Sequence, residues 1–458
     1  LPLLTYLTIQ KADHTMPFPK DFTWGAATAS YQIEGAAMDA GRGECIWTRF
    51  CHTPGKVKQG DTGDIACDHY HLYPQDIDLM RQIGLQAYRF SISWPRVLPS
   101  GRGERNPAGL DFYNRLVDNL LEAGITPYAT LYHWDLPQAL QDDSDGWENP
   151  AIVEAFADYA ALMAETLGDR VKHWITLNEP FVVAFVGNYQ GRHAPGKTDL
   201  GAAYRVAHHL MLAHGAAVPR IRAASAGASV GITLDYIDSQ AATDAEADVN
   251  IARRFDGFQN RWFLDPVFKG TYPADIIETV RGVDGALADI DLDAVKAAAV
   301  PIDFLGLNYY RRHIRRDDSS LLGEQVRVPD AEHTTMDWEV YPEGQYNMLK
   351  RVHADYAPAA LYITENGCSL DDPEPNADGV VEDPRRVAYL EGHFAAAERA
   401  LDEGVPLRGY FVWSLMDNFE WAEGYAKRFG LIRVNYKTLE RHLKRSALWY
   451  RDFIAGVS

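Results

Sequence analysis

Short runs rich in β-branched and aromatic residues recur along the chain, separated by longer stretches whose apolar residues fall at helical spacing. The runs are FTWGAATAS (22–30), AYRFSIS (87–93), TPYATLYHW (126–134), VKHWITLNE (171–179), SVGITLDYI (229–237), DFLGLNYY (303–310), LYITENG (361–367) and RGYFVWSLMD (408–417). Between them lie helical segments such as LDFYNRLVDNLLEAG and DPRRVAYLEGHFAAAERALDEG. In NPAIVEAFADYAALMAETLG, Ile152, Phe156, Tyr159 and Met163 share one helical face, with Pro150 at the entrance and Gly168 at the exit. Strands alternating with helices predict parallel pairing through helical crossovers. Eight strands favour a closed (β/α)8 barrel, an α/β fold, over a doubly wound open sheet. No GxGxxG or GxxxxGK motif supports the open sheet.

Polar residues punctuate these runs where a barrel would use them. Arg89 lies within the second run, His133 and Asp135 close the third, Asn178 and Glu179 close the fourth, and Glu365 closes the seventh. Active sites of α/β barrels gather at the carboxyl ends of the strands, where the βα loops converge. Pro180 should hold Glu179 in extended backbone. In a regular strand Asn178 and Glu179 would point to opposite faces, so a bend or bulge is needed for both to serve one pocket. Gly367, after the second glutamate, is expected to supply turn dihedrals.

Composition narrows the function classes. The 64 acidic residues against 44 basic ones give a formal charge of -20, which argues against nucleic-acid or membrane partners. No apolar run is long enough to span a bilayer. Residues 1–15 have no basic region or cleavage-site pattern and read as an extension before a natural start at Met16 and a single catalytic domain over 16–458. A cytoplasmic location is therefore expected; the oligomeric state is unresolved. Cys45, Cys51, Cys67 and Cys368 lack CxxC spacing and are expected to be free thiols. The segment 371–384 reads as a long loop, and 311–346, with RRHIRRDDSS, as an exposed region whose basic cluster is locally neutralised.

Two carboxylates at the ends of different barrel strands can flank a glycosidic bond, about 5–5.5 Å apart for retention and about 6.5–9.5 Å for inversion. Gln32, His133, Asn178, Glu420 and Trp421 offer polar groups for sugar hydroxyls, while Trp134, Trp413 and Trp421 offer apolar faces for sugar C–H surfaces. The stretch DIACDHYH, whose Asp64, Cys67, Asp68, His69 and His71 could join His52 and His133, is dense in coordinating residues but has no standard zinc spacing. No metal or cofactor is expected. A metal-dependent hydrolase and a non-catalytic barrel lectin are the alternatives.

Taken together, the motifs resemble glycoside hydrolase family 1, the β-glucosidase family. They are FTWGAATASYQIEG, GDTGDIACDHYHLYPQDIDLM, AYRFSISWPR, TLYHWDLPQAL, TLNEP, GLNYY, YITENG and VWSLMDNFEWAEGYAKRFGL, spanning roughly residues 17–455. The resemblance implies retaining hydrolysis of small β-glucosides or cellobiose, with β-galactosidase or β-fucosidase side activity. It casts Glu179 as acid/base and Glu365 as nucleophile. It maps the sugar-binding set onto Gln32, His133, Asn178, Glu420 and Trp421, and the aromatic platform onto Trp413. Arg89, Asn308 and Tyr310 fall at positions supporting the nucleophile, and Tyr310 also borders the substrate. Glu423 stands where relatives acting on 6-phosphosugars carry a small polar residue, which favours an unphosphorylated glycone. Cys45 and Cys368 depart from the family pattern and suggest sensitivity to thiol oxidation.

Overall fold

The computed structural model describes residues 18–283 and 285–457. The expected extension over 1–15 and the start at Met16 lie outside the described residues. Eight parallel strands close on themselves: β1 (Thr23–Ala27), β2 (Ala87–Ser91), β3 (Thr126–Tyr132), β4 (His173–Asn178), β5 (Ser229–Ala241), β6 (Phe304–Arg316), β8 (Leu361–Asn366) and β9 (Leu407–Trp413). The short β7 (Glu324–Val326) adds antiparallel to the far end of β6. Each barrel strand pairs with its neighbours in chain order, and β9 returns to β1, so no barrel edge is left open. All eight apolar runs are barrel strands.

Helices cover the outside. Pro107–Glu122, Pro342–Tyr356 and Pro384–Asp402 each begin on proline, whose missing N–H is no loss in a first turn. Ala151–Leu167 buries Ile152, Phe156, Tyr159 and Met163, the face its periodicity predicts. No described helix is long and apolar enough to cross a membrane.

The barrel interior changes character from bottom to top. Near the strands' amino ends the Tyr128 ring stacks on His173 at 4.1 Å and meets Phe411 at 4.9 Å. Gly25 makes room for this layer: a Cβ there would lie 2.6 Å from the Phe411 ring. Arg89, Thr130 and Thr364 come next, followed by the carboxylates at the mouth. The aromatic layer plugs the barrel beneath the site.

Above the barrel, β5 and β6 continue as a paired wall through Ala241 and Arg315. The segment 371–383 is a loop, as expected, although Asp372 and Asp383 turn inward. They belong to a buried ionic group in which Lys444 bridges Asp372 and Asp417, and Arg386 binds Asp372 and Asp383.

Candidate active site

Strand irregularities place the two glutamates. Ile175 pairs with Gly231 but Asn178 with Thr233, so β4 carries one residue more than β5 over this stretch. A similar offset between β6 and β8 aligns Asn308 with Glu365. Such bulges re-aim side chains at strand ends, and they bring Asn178, Glu179, Asn308 and Glu365 into one cluster. The backbone of Glu179 is left-handed, with φ of 48°, rather than extended as Pro180 suggested. Its N–H is held by the Thr233 carbonyl at 3.0 Å, and this tertiary bond overrides the local preference. Gly367 also differs from expectation. Its φ is not positive; glycine is needed because a Cβ would lie 1.7 Å from the Trp413 carbonyl oxygen.

Arg89 and Tyr310 grip Glu365. Arg89 Nη1 donates to Oε1 at 2.7 Å and the Tyr310 hydroxyl donates to Oε2 at 2.8 Å. Arg89 Nη2 also donates to Asn178 Oδ1 at 2.6 Å. Asn308 Nδ2 donates to Glu179 Oε1 at 2.7 Å, while Thr364 fixes the amide by donating to its Oδ1. The two carboxyl groups are therefore tied into one network but bear different partners.

That difference separates their protonation. Burial, then the negative charges of Glu365 and Asp235, push Glu179 well above the usual carboxylate range. Burial also raises Glu365, but Arg89 and the Tyr310 hydroxyl pull it back. The proton shared by the pair belongs on Glu179, leaving Glu365 as the anion. Burial, reinforced by Arg89, keeps His133 neutral. Its Nε2 accepts from Asn178 Nδ2 at 3.0 Å, so its proton resides on Nδ1. Burial and the nearby Glu365 and Glu423 raise Glu420 to about 8.

These groups surround a cavity of about 350 Å³, large enough for a sugar. His133, Trp134, Glu179, Asn308, Tyr310, Glu365, Trp413, Glu420 and Trp421 line it. Gln32, Arg89 and Asn178 stand behind the wall. Gln32 Nε2 donates to Asn418 and to the Phe419 carbonyl and lies 3.4 Å from Glu420 Oε2, so in this structure it braces Glu420. Sequence reasoning missed Arg192, Asp235 and Trp338 as lining residues. It also misplaced Arg311, which belongs to β6 and faces the cavity, whereas Arg312 and Arg316 are neutralised by Glu339 and Glu324.

The histidine-rich segment is occupied otherwise. His69 bonds Asp76 at 2.8 Å, His71 bonds Asp68 and His52 bonds Asp64, and no cluster of three metal-binding side chains occurs among the described residues. All four cysteines are free and buried. The oxidation sensitivity expected of Cys45 and Cys368 is therefore not supported: they are 0% and 1% exposed, and burial pushes Cys368 up to about 12.

A family model described as Glycosyl hydrolase family 1 matches residues 14–457. Beta-glucosidase A of Thermotoga maritima is 48% identical over 439 residues, covering 95% of this chain and 97% of that protein. A bifunctional beta-D-glucosidase/beta-D-fucosidase of Bifidobacterium breve is 44% identical, covering 97% and 99%. The solved beta-glucosidase of Thermotoga maritima in complex with glucoimidazole superposes with a TM-score of 0.94 at 48% identity, covering 96% of this chain and 99% of that one.

Proposed function

The chain belongs to glycosyl hydrolase family 1, and from that premise we propose that it is a retaining β-glucosidase using Glu365 as nucleophile and Glu179 as acid/base. The observation carrying this reading is the unequal treatment of two neighbouring carboxyls: Glu365 receives Arg89 and Tyr310, whereas Glu179 is buried beside negative charge. Glu365 attacks the anomeric carbon while Glu179 protonates the departing oxygen. Formation of the glycosyl ester removes the charge on Glu365 that raised Glu179. Glu179, now deprotonated, takes a proton from water as that water opens the ester.

Glucosides and short cello-oligosaccharides are the substrates. The glycone sits among His133, Glu420, Trp413 and Trp421, with Glu420 accepting from its hydroxyls. Side activity on β-galactosides or β-fucosides is a further part of the proposal, and the name of the Bifidobacterium breve relative supports the fucoside half. Glu423 lines the cavity near Lys58, and its negative charge disfavours a phosphorylated glycone. A single catalytic domain over residues 16–458 and a cytoplasmic role on small soluble glucosides complete the reading.

The test is azide rescue of two variants on an aryl β-glucoside with an excellent leaving group. Glu179→Ala should form the glycosyl–enzyme and release β-glucosyl azide; Glu365→Gly should yield the α-azide from the opposite face. Reversed products would exchange the two roles, and undiminished hydrolysis by both variants would dismiss the site. Proton NMR of the first product from the unaltered enzyme should show the β-anomer.

A further inference from the structure

The leaving-group side of the cavity carries two cations that catalysis does not use. Charged cavity-lining residues elsewhere have partners: Glu365 has Arg89, Glu420 has Gln32, Glu423 has Lys58 and Asp337 has Arg327. Asp235 is held by Gln259, and Lys427 donates to the Thr335 carbonyl. The guanidinium groups of Arg192 and Arg311 make no hydrogen bond or ion pair among the described residues, although both line the cavity. Arg311 instead lies against the face of Trp338, 4.6 Å from the ring centroid.

Local backbone structure explains how Arg311 reaches the cavity. Tyr236 pairs with Tyr309, but Asp238 pairs with Arg312, so Tyr310 and Arg311 together oppose Ile237. In a regular strand these consecutive side chains would point to opposite faces. The bulge turns both inward, Tyr310 to Glu365 and Arg311 to the cavity. Arg192 enters from the loop after β4, downstream of Glu179, where its N–H is bonded to the Val186 carbonyl.

Electrostatic neighbours identify which end of the cavity this is. Glu420, on the sugar side, senses Glu365, Glu423 and Lys427. Arg311 senses Arg192, Asp235, Arg315 and, less strongly, Glu179, the group that protonates the departing oxygen. The arginines therefore face whatever is attached to that oxygen. Burial, followed by repulsion from Arg192, lowers Arg311 to about 10, a strain that an incoming anion would relieve. Asp235 is the strongest opposing influence on Arg311, but burial raises it to about 7 and no ion pair joins the two among the described residues.

We propose that Arg192 and Arg311 form an anion-binding aglycone subsite, and that the enzyme prefers β-glucosides whose aromatic leaving group carries a carboxylate. The Trp338 face holds Arg311 in place, the apolar lining of Val182, Val186 and Met336 takes the aromatic ring, and the two guanidinium groups take the carboxylate, for which their planar donor sets are suited. The proposal rests on the β-glucosidase reading above.

The experiment compares kcat/KM for 3-carboxyphenyl β-D-glucoside and 3-carbamoylphenyl β-D-glucoside, a charged and an uncharged aglycone of the same shape. The unaltered enzyme should favour the carboxylate, and added salt should erode that preference. Arg311→Ser and Arg192→Ser should each reduce the carboxylate-to-amide ratio about tenfold, corresponding to about 1.4 kcal/mol. The double variant should bring it lower still. Because each protein supplies its own ratio, loss of folded enzyme cancels. A ratio unchanged in the variants, or no preference in the unaltered enzyme, overturns the subsite while leaving the glucosidase intact. Failure of the unaltered enzyme to cleave either compound overturns the glucosidase reading and the subsite with it.

Discussion

Tyr310→Phe removes one oxygen from the support of Glu365, the proposed nucleophile, and little else. The ring remains 5.2 Å from Trp338 and 6.2 Å from Phe429 by centroid, so its packing should survive. The lost contact is the 2.8 Å hydrogen bond to Glu365 Oε2, while Arg89 still holds Oε1. A hydrogen bond to a charged group contributes about 1.5–3 kcal/mol, and a pKa unit corresponds to about 1.36 kcal/mol. Since the hydroxyl favours the ionised form, its removal should raise the apparent pKa of Glu365, and the lost bond corresponds to about a 10–100-fold loss of kcat/KM where the nucleophile's ionisation limits the rate.

The predicted signature is asymmetric. In kcat/KM against pH, the acidic limb reports ionisation of the nucleophile and the basic limb loss of the acid's proton. The acidic limb of the Phe variant should move to higher pH, so activity falls most at low pH, by about 10–100-fold. The basic limb should stay, because Glu365 is already ionised when Glu179 titrates. An aryl glucoside assayed by quenched time points at each pH supplies both limbs. A fixed acidic limb with a moving basic limb would refute the assignment of Tyr310 to Glu365.

Three further outcomes follow from other contacts. Gly367→Ala should lower kcat/KM at least about tenfold and destabilise the fold by about 1–3 kcal/mol, because the added Cβ collides with the Trp413 carbonyl; wild-type-like kinetics and denaturant unfolding would contradict this. Lys444→Met should cost about 3–5 kcal/mol in urea unfolding by leaving Asp372 and Asp417 short of a buried partner. Burial opposes ionisation of Asp372, but Lys444 and Arg386 outweigh it and hold its pKa low, so its stabilising contribution exists above the unfolded value and is lost as pH falls through the folded one. The variant's deficit should accordingly be greatest near neutrality and shrink in acid. Finally, sugar hydroxyls donating to Glu420 favour its anion, so binding a neutral glucose mimic at pH below about 8 should release a proton. Calorimetric titration in buffers of different ionisation enthalpy measures that release, and its absence would argue against Glu420 as the hydroxyl acceptor.

The barrel was legible because apolar strands ended on polar residues in a regular alternation with helices. Glu179, Glu365 and Arg89 are legible as polar residues set in or at the ends of strands, Tyr310 enters only through the family resemblance, and the need for a bulge at Asn178–Glu179 follows from strand periodicity. What escaped were the consequences of contacts made across the barrel. The Thr233 carbonyl sets the backbone of Glu179 against the preference imposed by Pro180, and the Trp413 carbonyl, rather than a turn, demands Gly367. Arg311 was hidden for a related reason. The bulge opposite Ile237 breaks the two-residue period, and the acids adjacent to the basic cluster do not neutralise it: Asp317 and Asp318 accept from the Ser319 and Ser320 N–H groups, while Arg312 and Arg316 pair with Glu339 and Glu324.

The seam between β1 and β9 has a consequence for how the enzyme comes into being. Gln32 follows the first strand and Glu420 follows the last, yet the two side chains meet at 3.4 Å. Glu420 therefore cannot take up its braced position until the ribosome has delivered the final strand and the cylinder has closed. Such distant pairings are slow to form because a long loop must be organised first. A nascent chain can gather β2 through β8, including Glu179 and Glu365, while its sugar pocket still lacks a wall. Competence to bind glucose should thus arrive last, making ligand binding a reporter of completed closure during refolding.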